Sequence, residues 1–270
     1  MKISVLVENV TEKEYDVEHG LCLFIELENG RRILFDTGQS ELFMRNANLL
    51  GCDIAAVDFA VLSHGHYDHG GGLRAFFQNN VSAKVYAQKS IFESHYSLKE
   101  AGLKYIGLDR NLSNEFADRF KLCGNQENIS EDIILFSCKN KSYPIPQGNA
   151  LLYGSDKKSN DDFSHEHNMI VVEGDKVVLF AGCAHCGILN IMSEAERLTG
   201  KAITHVVGGF HLMQGLTINE EIKKLSCALL AHESCKYYTM HCTGVAQYEA
   251  LKQSLGNRIE YLSCGEVLSI

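Results

Sequence analysis

The stretch Ser63-His64-Gly65-His66-Tyr67-Asp68-His69-Gly70-Gly71-Gly72 places four side chains that commonly bind metal ions within six residues. It follows the apolar run 57–62, which has the composition of a strand buried on both faces. Strand side chains repeat with a period of two, so His64 and His66 can point to one side, while Asp68 and His69 curl into a helix and reach a second point. The three glycines allow a tight backbone turn beneath the ions. Imidazole and carboxylate ligands suit zinc, iron or manganese, so the stretch predicts a metal site.

The composition supports a metal-binding protein and argues against two other classes. The 270 residues include 12 His and 10 Cys but only 2 Pro and no Trp. The 25 Lys and Arg stand against 34 Asp and Glu, and a net charge of −9 argues against a general nucleic-acid binder. The sequence has neither a secretory signal pattern nor a run of 18 apolar residues. We therefore expect a cytoplasmic protein with reduced cysteines and no membrane partner.

The order of predicted elements favours sheets inside and helices outside, because strands come first and then alternate with helices. The strands are predicted over 3–7, 21–27, 33–35, 57–62, 133–136, 170–172, 177–180, 203–207, 237–240 and 259–262, and the helices over 40–50, 188–198, 219–231 and 245–255. Asn29-Gly30 predicts a hairpin turn. The least regular part, 93–168, is predicted to be an insertion or lid within a single domain spanning 1–270.

The pattern at His64–His69 resembles the signature of the metallo-β-lactamase-fold hydrolases. This resemblance implies an α/β fold, the four-layer αββα sandwich, with a dinuclear metal site. It implies that His64 and His66 bind the first metal and that Asp68 and His69 bind the second. Asp36 matches the family's early aspartate, which lies behind the site and orients a ligand histidine.

Three later histidines follow predicted strands in glycine-rich segments, namely His185, His211 and His241. Such positions lie where a sheet opens toward its helices, so all three could converge on one site. His185 is predicted to be the third ligand of the first metal, and His241 a further ligand. His211 is a candidate ligand or catalytic residue.

One position departs from the glyoxalase-like branch of the family, in which the strand corresponding to 178–182 ends in a bridging aspartate. This chain has Cys183 there, so no carboxylate bridge is evident. Cys183, Glu166 and His167 are the alternatives to His185 as the third ligand. The other histidines considered are expected to lie on the surface or in the core: His19, His95, His205 and His232.

The strings 182–190, 208–212 and 241–244 are similar to a narrower group, the dihydropterin-(ribofuranosyl)aminobenzene 5'-phosphate synthases. The resemblance spans nearly the whole chain except about 93–165. It implies a metal-dependent hydrolase or transferase that acts on a phosphorylated or pyrophosphorylated small molecule. Two divalent ions are expected, zinc first, with iron or manganese as alternatives. Asp68 is expected to be catalytic as well, accepting a hydrogen bond from the nucleophile.

Three other functions remain open at this point. The fold also hosts di-iron proteins that reduce oxygen, which would show a visible iron spectrum and need an electron donor. A lactone or thioester hydrolase would use the same metal site on a different bond. A non-catalytic binding protein would bind no stoichiometric metal. The oligomeric state is not indicated by the sequence.

Overall fold

The apolar runs form two seven-stranded sheets and one three-stranded sheet in a computed structural model of the chain. The structure describes residues 1–213 and 218–270. It divides into two units. The first unit comprises Met1–Gly124, Leu152–Glu166 and Ser263–Ile270, and the second comprises Asn125–Leu151 and His167–Leu262. The irregular segment 93–168 is thus shared between the two units.

The first unit contains one large sheet, one small sheet and four short helices among its described residues. Its strands are β1 (Lys2–Val7), β2 (Cys22–Glu26), β3 (Arg32–Phe35), β4 (Phe59–Val61), β5 (Lys84–Gln88), β6 (Tyr96–Lys99), β7 (Gly102–Tyr105), β8 (Phe120–Cys123), β11 (Leu152–Tyr153) and β17 (Val267–Ser269). The large sheet has the order β17-β1-β2-β3-β4-β5-β8, and the small one β11-β6-β7. The helices are α1 (Leu42–Leu50), α2 (Tyr67–Gly70), α3 (Leu73–Asn79) and α4 (Leu112–Glu115).

Pairing in the large sheet changes from antiparallel to parallel at β3. The predicted hairpin joins β2 to β3, with Gly30 at a φ of 83° in the turn. From β3 through β4 and β5 to β8 the strands are parallel, which requires the crossover segments that carry α1 and α3. The core beside them includes Phe24, Phe43 and Phe76, each at most 1% exposed. Each such side chain contributes about 1.5–3 kcal/mol by leaving water.

The second unit contains the other large sheet and three longer helices among its described residues. Its strands are β9 (Gln126–Ser130), β10 (Ile133–Phe136), β12 (Asn168–Glu173), β13 (Lys176–Ala181), β14 (His205–Gly208), β15 (Lys236–Thr239) and β16 (Ile259–Tyr261), in the order β16-β15-β14-β13-β12-β10-β9. The helices are α5 (Ile188–Thr199), α6 (Ile218–Leu230) and α7 (Val245–Leu255). Strands β13 to β16 are parallel, and β9 to β13 are antiparallel.

The mixed α/β class predicted from the sequence is confirmed. The predicted starts of two helices, α1 and α6, can be compared with the structure. Ser40, the first residue of the helix predicted over 40–50, lies before the N-cap of α1, which is Glu41, and the Ser40 hydroxyl accepts the N–H of Leu42 at 3.1 Å. Asn219, predicted to open α6, lies outside the residues whose side chains are described. Among residues 1–213 and 218–270, no helix has the length and apolar character needed to cross a membrane.

Gly208 is required where β14 lies beside β13. Its φ is +147°, and a Cβ atom there would lie 1.8 Å from the carbonyl oxygen of Ala181. Gly208→Ala is therefore expected to lower the free energy of unfolding by about 2–4 kcal/mol, combining backbone strain and overpacking. Gly174→Ala is the matched control, because Gly174 has a φ of +62° but no atom within 4 Å of the added Cβ. Urea denaturation should show a loss of only about 1 kcal/mol for that variant; equal losses for both would contradict the steric argument.

Candidate metal centre

The candidate residues of each unit follow the carboxyl ends of its parallel strands. In the first unit, Asp36 comes directly after β3, and His64 comes three residues after the end of β4. In the second, His185, His211 and His241 follow β13, β14 and β15. Parallel strands bring their carboxyl ends to the same edge of a sheet, and ligands bind there in open α/β sheets. The topology therefore groups chemically active side chains at one edge of each sheet.

A buried carboxylate orients two histidines of the first unit. Asp36 accepts hydrogen bonds from the Ser63 N–H, the Ser63 hydroxyl and His69 Nδ1, each at 2.7 Å. Because the Ser63 hydroxyl donates to Asp36, its oxygen is left to accept from His64 Nδ1 at 2.9 Å. A neutral imidazole whose Nδ1 donates carries its lone pair on Nε2. Asp36 thus sets His64 and His69 in the tautomer that binds a metal through Nε2, as the family resemblance implies for a residue behind the site.

The histidines of the motif lie against one another in the first unit. The ring centroids of His64 and His66 are 4.5 Å apart, and those of His64 and His69 are 4.1 Å apart. All three are buried. Burial and the nearby His165 lower the pKa of His66 well below its ordinary value, so this ring is neutral at pH 7 and able to bind a metal.

Asp68 lies beside two of these imidazoles rather than apart from them. Its Oδ2 is 3.9 Å from Nε2 of His69 and 3.2 Å from Nε2 of His19. The His19 side chain is 44% exposed, as expected for a surface residue. The structure therefore brings together all four motif residues, together with Asp36, within the first unit.

Sequence reasoning missed a second histidine cluster in the first unit. One ligand atom from each of His66, His95, Asp161 and His165 lies within 4.8 Å of the others, and all four residues are buried. His95 was expected on the surface or in the core, and His165 is adjacent to the alternative ligand Glu166. Among the described residues, Glu166 and His167 belong to no group of this kind. The only signal in the sequence was the local density of His and Asp around 161–167.

In the second unit, an amide side chain performs the same task for His185. Asn149 donates from Nδ2 to the carbonyl oxygen of His185 at 2.8 Å, which turns its Oδ1 toward Nδ1 of the same residue at 3.0 Å. His185 Nδ1 must then donate, and the lone pair lies on Nε2. The His211 ring is next to it, with a centroid separation of 4.2 Å. Asn149 had no signal in the sequence, because it lies in the irregular segment.

Two cysteines join His211 in a sulfur-containing cluster. The ligand atoms of Cys183, His211 and Cys242 lie within 4.8 Å of one another. The His211 backbone N–H donates to the Cys242 sulfur at 3.3 Å. Burial raises the pKa of the Cys242 thiol, but its contacts with Cys183 and His211 and the nearby His241 outweigh burial and bring the pKa well below its ordinary value.

Backbone strain is concentrated at the candidate residues. Asp36, His211 and His241 have φ values of 61°, 51° and 51°, and Ala184, between Cys183 and His185, has 54°. Non-glycine residues rarely adopt this conformation, and it costs about 1–3 kcal/mol at each residue. Such strain persists only where the surrounding structure imposes it, and it gathers at functional sites.

The residues present fit divalent metal ions. The hydrogen bonds of Asp36, Ser63 and Asn149 place the lone pair of each neutral imidazole on Nε2 of a buried histidine, and Asp68 adds a carboxylate. Nitrogen and oxygen donors of this kind suit zinc, iron and manganese, and a carboxylate or amide behind each histidine is the usual support for a metal-bound ring.

The chain is similar to several known proteins. Residues 15–185 match the model of the metallo-beta-lactamase superfamily. The chain is 30% identical over 271 residues to an uncharacterized protein of Methanocaldococcus jannaschii, MJ0448, covering 99% of this chain and 100% of the relative. It is 26% identical over 265 residues to the 7,8-dihydropterin-6-methyl-4-(beta-D-ribofuranosyl)-aminobenzene-5'-phosphate synthase of the same organism, covering 93% and 90% of the two chains.

A solved structure extends the likeness to the whole chain. The crystal structure of Tm1679, described as a metal-dependent hydrolase of the beta-lactamase superfamily, matches with a TM-score of 0.85 at 28% identity, covering 100% of this chain and 99% of that one. The superfamily model covers well over half of the chain. The protein therefore belongs to the metallo-beta-lactamase superfamily.

Proposed function

We propose that the protein is a metal-dependent enzyme that hydrolyses or transfers a phosphoryl-containing group of a small molecule at a dinuclear centre. In the first unit the proposed metal ligands are His64, His66, Asp68 and His69. In the second unit His185 and His241 are proposed as metal-binding residues. The observation that carries the proposal is the Asp36 network, in which one buried carboxylate holds two histidines in the metal-binding tautomer.

The chain's own residues divide the chemical work. Divalent ions held by these ligands would supply Lewis acidity, lowering the pKa of water from about 15.7 toward about 7 and polarising a phosphoryl oxygen. Asp68, only 8% exposed, would accept a hydrogen bond from the attacking nucleophile and fix its direction. His211, also 8% exposed and adjacent to His185, would hold or donate a proton at the substrate.

The phosphorylated substrate class is supported by one relative and by one cavity. The 26% identical relative is named as a synthase of a 5'-phosphate. The second unit has a cavity of about 430 Å³, within the usual range for small-molecule sites. Its lining is mostly apolar and includes Phe210 and Leu212, the two sequence neighbours of His211, together with the charged residues Glu220, Glu221 and Lys224. Such a cavity suits the non-phosphorylated part of a substrate. Two divalent ions would offset about four of the nine net negative charges where an anion must approach.

Metal removal tests this proposal. Protein freed of metal by a chelator and dialysis should lose activity on its best substrate by about 100-fold or more, because a Lewis-acid metal contributes several kcal/mol to the transition state. Zinc, manganese and iron(II) are then added back separately, and substrates are screened among phosphodiesters, pyrophosphates, lactones and thioesters. Full activity in protein verified to be metal-free would refute the proposal. Activity confined to lactones or thioesters would support a metal-dependent mechanism but would contradict the proposed phosphorylated substrate class.

A redox role is the second candidate, and the sulfur cluster of Cys183, His211 and Cys242 favours it. Thiolate ligands select zinc, copper(I) or iron more strongly than carboxylates do. A purified protein with a visible iron spectrum that changes on reduction, and that consumes dioxygen with an added electron donor, would support this function. A colourless protein with zinc would support the hydrolytic or transfer function.

A further inference from the structure

We propose that His95 is an additional metal-binding residue of the first unit and that Asp161 and His165 hold its ring for that purpose. This inference rests on the proposed metal centre and extends it beyond the His64–His69 motif. His95 lies between β5 and β6, and Asp161 lies 66 residues further along the chain.

A backbone N–H determines which ring nitrogen of His165 carries the proton. The Gly65 N–H donates to Nδ1 of His165 at 2.8 Å. An amide N–H can only donate, so Nδ1 of His165 carries no proton. A ring that lacks the Nδ1 proton cannot be the charged imidazolium, in which both nitrogens carry protons. A neutral ring without a proton on Nδ1 has it on Nε2, which lies 3.4 Å from Oδ1 of Asp161.

The Asp161 carboxylate selects the tautomer of His95. The Asp161 side chain lies between the two imidazoles and is 3% exposed. Its Oδ2 lies 2.6 Å from Nδ1 of His95. An ionised carboxylate only accepts, so His95 Nδ1 donates and its lone pair is on Nε2.

That lone pair lies in a confined, polar position beside the motif. His95 is 3% exposed, and its Nε2 makes no hydrogen bond with any residue that the structure describes. Its ring centroid is 5.6 Å from that of His66. A Cβ atom on Gly65 would lie 3.0 Å from this nitrogen, so glycine at 65 keeps the approach open. A buried acceptor without a donor costs about 1–3 kcal/mol, and a metal ion would remove that cost.

The arrangement has the form of a supported metal ligand. Histidines that bind metals usually donate their other ring N–H to a carboxylate, which fixes the tautomer and raises the basicity of the ligand nitrogen. Asp161 stands in that position to His95, and the Gly65 N–H orients His165, whose Nε2 lies 3.4 Å from Asp161. A buried His–Asp pair that only stabilises the fold would leave metal affinity unchanged when altered, and this difference provides the test.

Cobalt(II) binding measures the proposal directly in the full-length protein. We expect His95→Ala to weaken binding of one cobalt ion by more than about 10-fold and Asp161→Asn by about 10–100-fold, since an amide can donate toward Nδ1 and favour the wrong tautomer. His95→Cys should add thiolate-to-cobalt charge-transfer absorption over the wild-type spectrum. His205→Ala is the control, because His205 is half-buried beside Thr204 in the second unit.

The outcomes separate this inference from the proposed function. Wild-type protein that binds no cobalt overturns both. Wild-type protein that binds cobalt, with His95→Ala and Asp161→Asn folded and unchanged in affinity, overturns the role of His95 alone. Thermal melting without metal monitors the fold. If His95→Ala does not fold, His95→Cys decides the matter: new thiolate absorption supports the proposal, and a wild-type spectrum overturns it.

Discussion

Replacing both His64 and His66 by alanine is expected to abolish stoichiometric metal binding and to remove nearly all activity. Both side chains are buried, their rings are 4.5 Å apart, and they belong to the motif that resembles the family signature. Loss of a single supporting residue behind a metal ligand costs about 10–100-fold in affinity, so loss of two ligands should exceed about 100-fold. Activity should fall by at least the same factor, because Lewis acidity supplies several kcal/mol.

Isothermal titration with zinc and a rate assay on the best substrate measure these two losses. His232→Ala is the matched control, because His232 lies 3.5 Å from Glu196 in the second unit and away from every candidate residue in the sequence. It should keep wild-type affinity and rate. A folded protein carrying both His64→Ala and His66→Ala, with normal metal content and activity, would show that the motif is not needed for metal binding or catalysis.

Asp36→Ala is expected to have the second large effect, on stability and metal affinity together. The side chain is fully buried and accepts three hydrogen bonds, two from Ser63 and one from His69. Removing one partner of a buried, hydrogen-bonded pair costs about 3–5 kcal/mol. His64 and His69 also lose the constraint on their tautomers, which should weaken metal binding by about 10–100-fold.

Asp36→Asn separates the two effects. Asparagine tolerates the positive φ of 61° at this position and keeps an acceptor for Ser63, so much of the stability should remain. Its NH2 group can donate toward His69 Nδ1 and favours the opposite tautomer, so metal affinity should still fall. Denaturant melts and zinc titrations of both variants give the comparison. Wild-type zinc affinity in Asp36→Asn would show that the carboxylate serves the fold alone.

The fold was largely predictable because its elements are encoded locally. The strand Ile133–Phe136 and the helix Val245–Leu255 have the predicted bounds. In both, a continuous apolar run or a helical spacing marks the element within its own residues. The motif at 64–69 was visible for the same reason, since its side chains are neighbours in the chain.

The supporting residues could not be predicted because distant parts of the chain bring them together. Asp161 reaches His95 across 66 residues, and Asn149 reaches His185 across 36. Asp161, His95 and Asn149 lie in the segment 93–168, where no periodicity of apolar residues indicates which side chains point inward. Ser63 directly precedes His64, yet its role in orienting that ring depends on the carboxylate of Asp36, 27 residues earlier. The spacing of residues in the sequence does not predict hydrogen bonds between such distant positions.

The most direct test of the account is elemental analysis of the purified protein by inductively coupled plasma mass spectrometry, after expression in medium supplied with zinc, iron and manganese. The account predicts about two equivalents of divalent metal per chain, reduced to less than about half an equivalent when His64 and His66 are replaced together. A wild-type protein that is folded, carries no metal and takes up none on titration would contradict it.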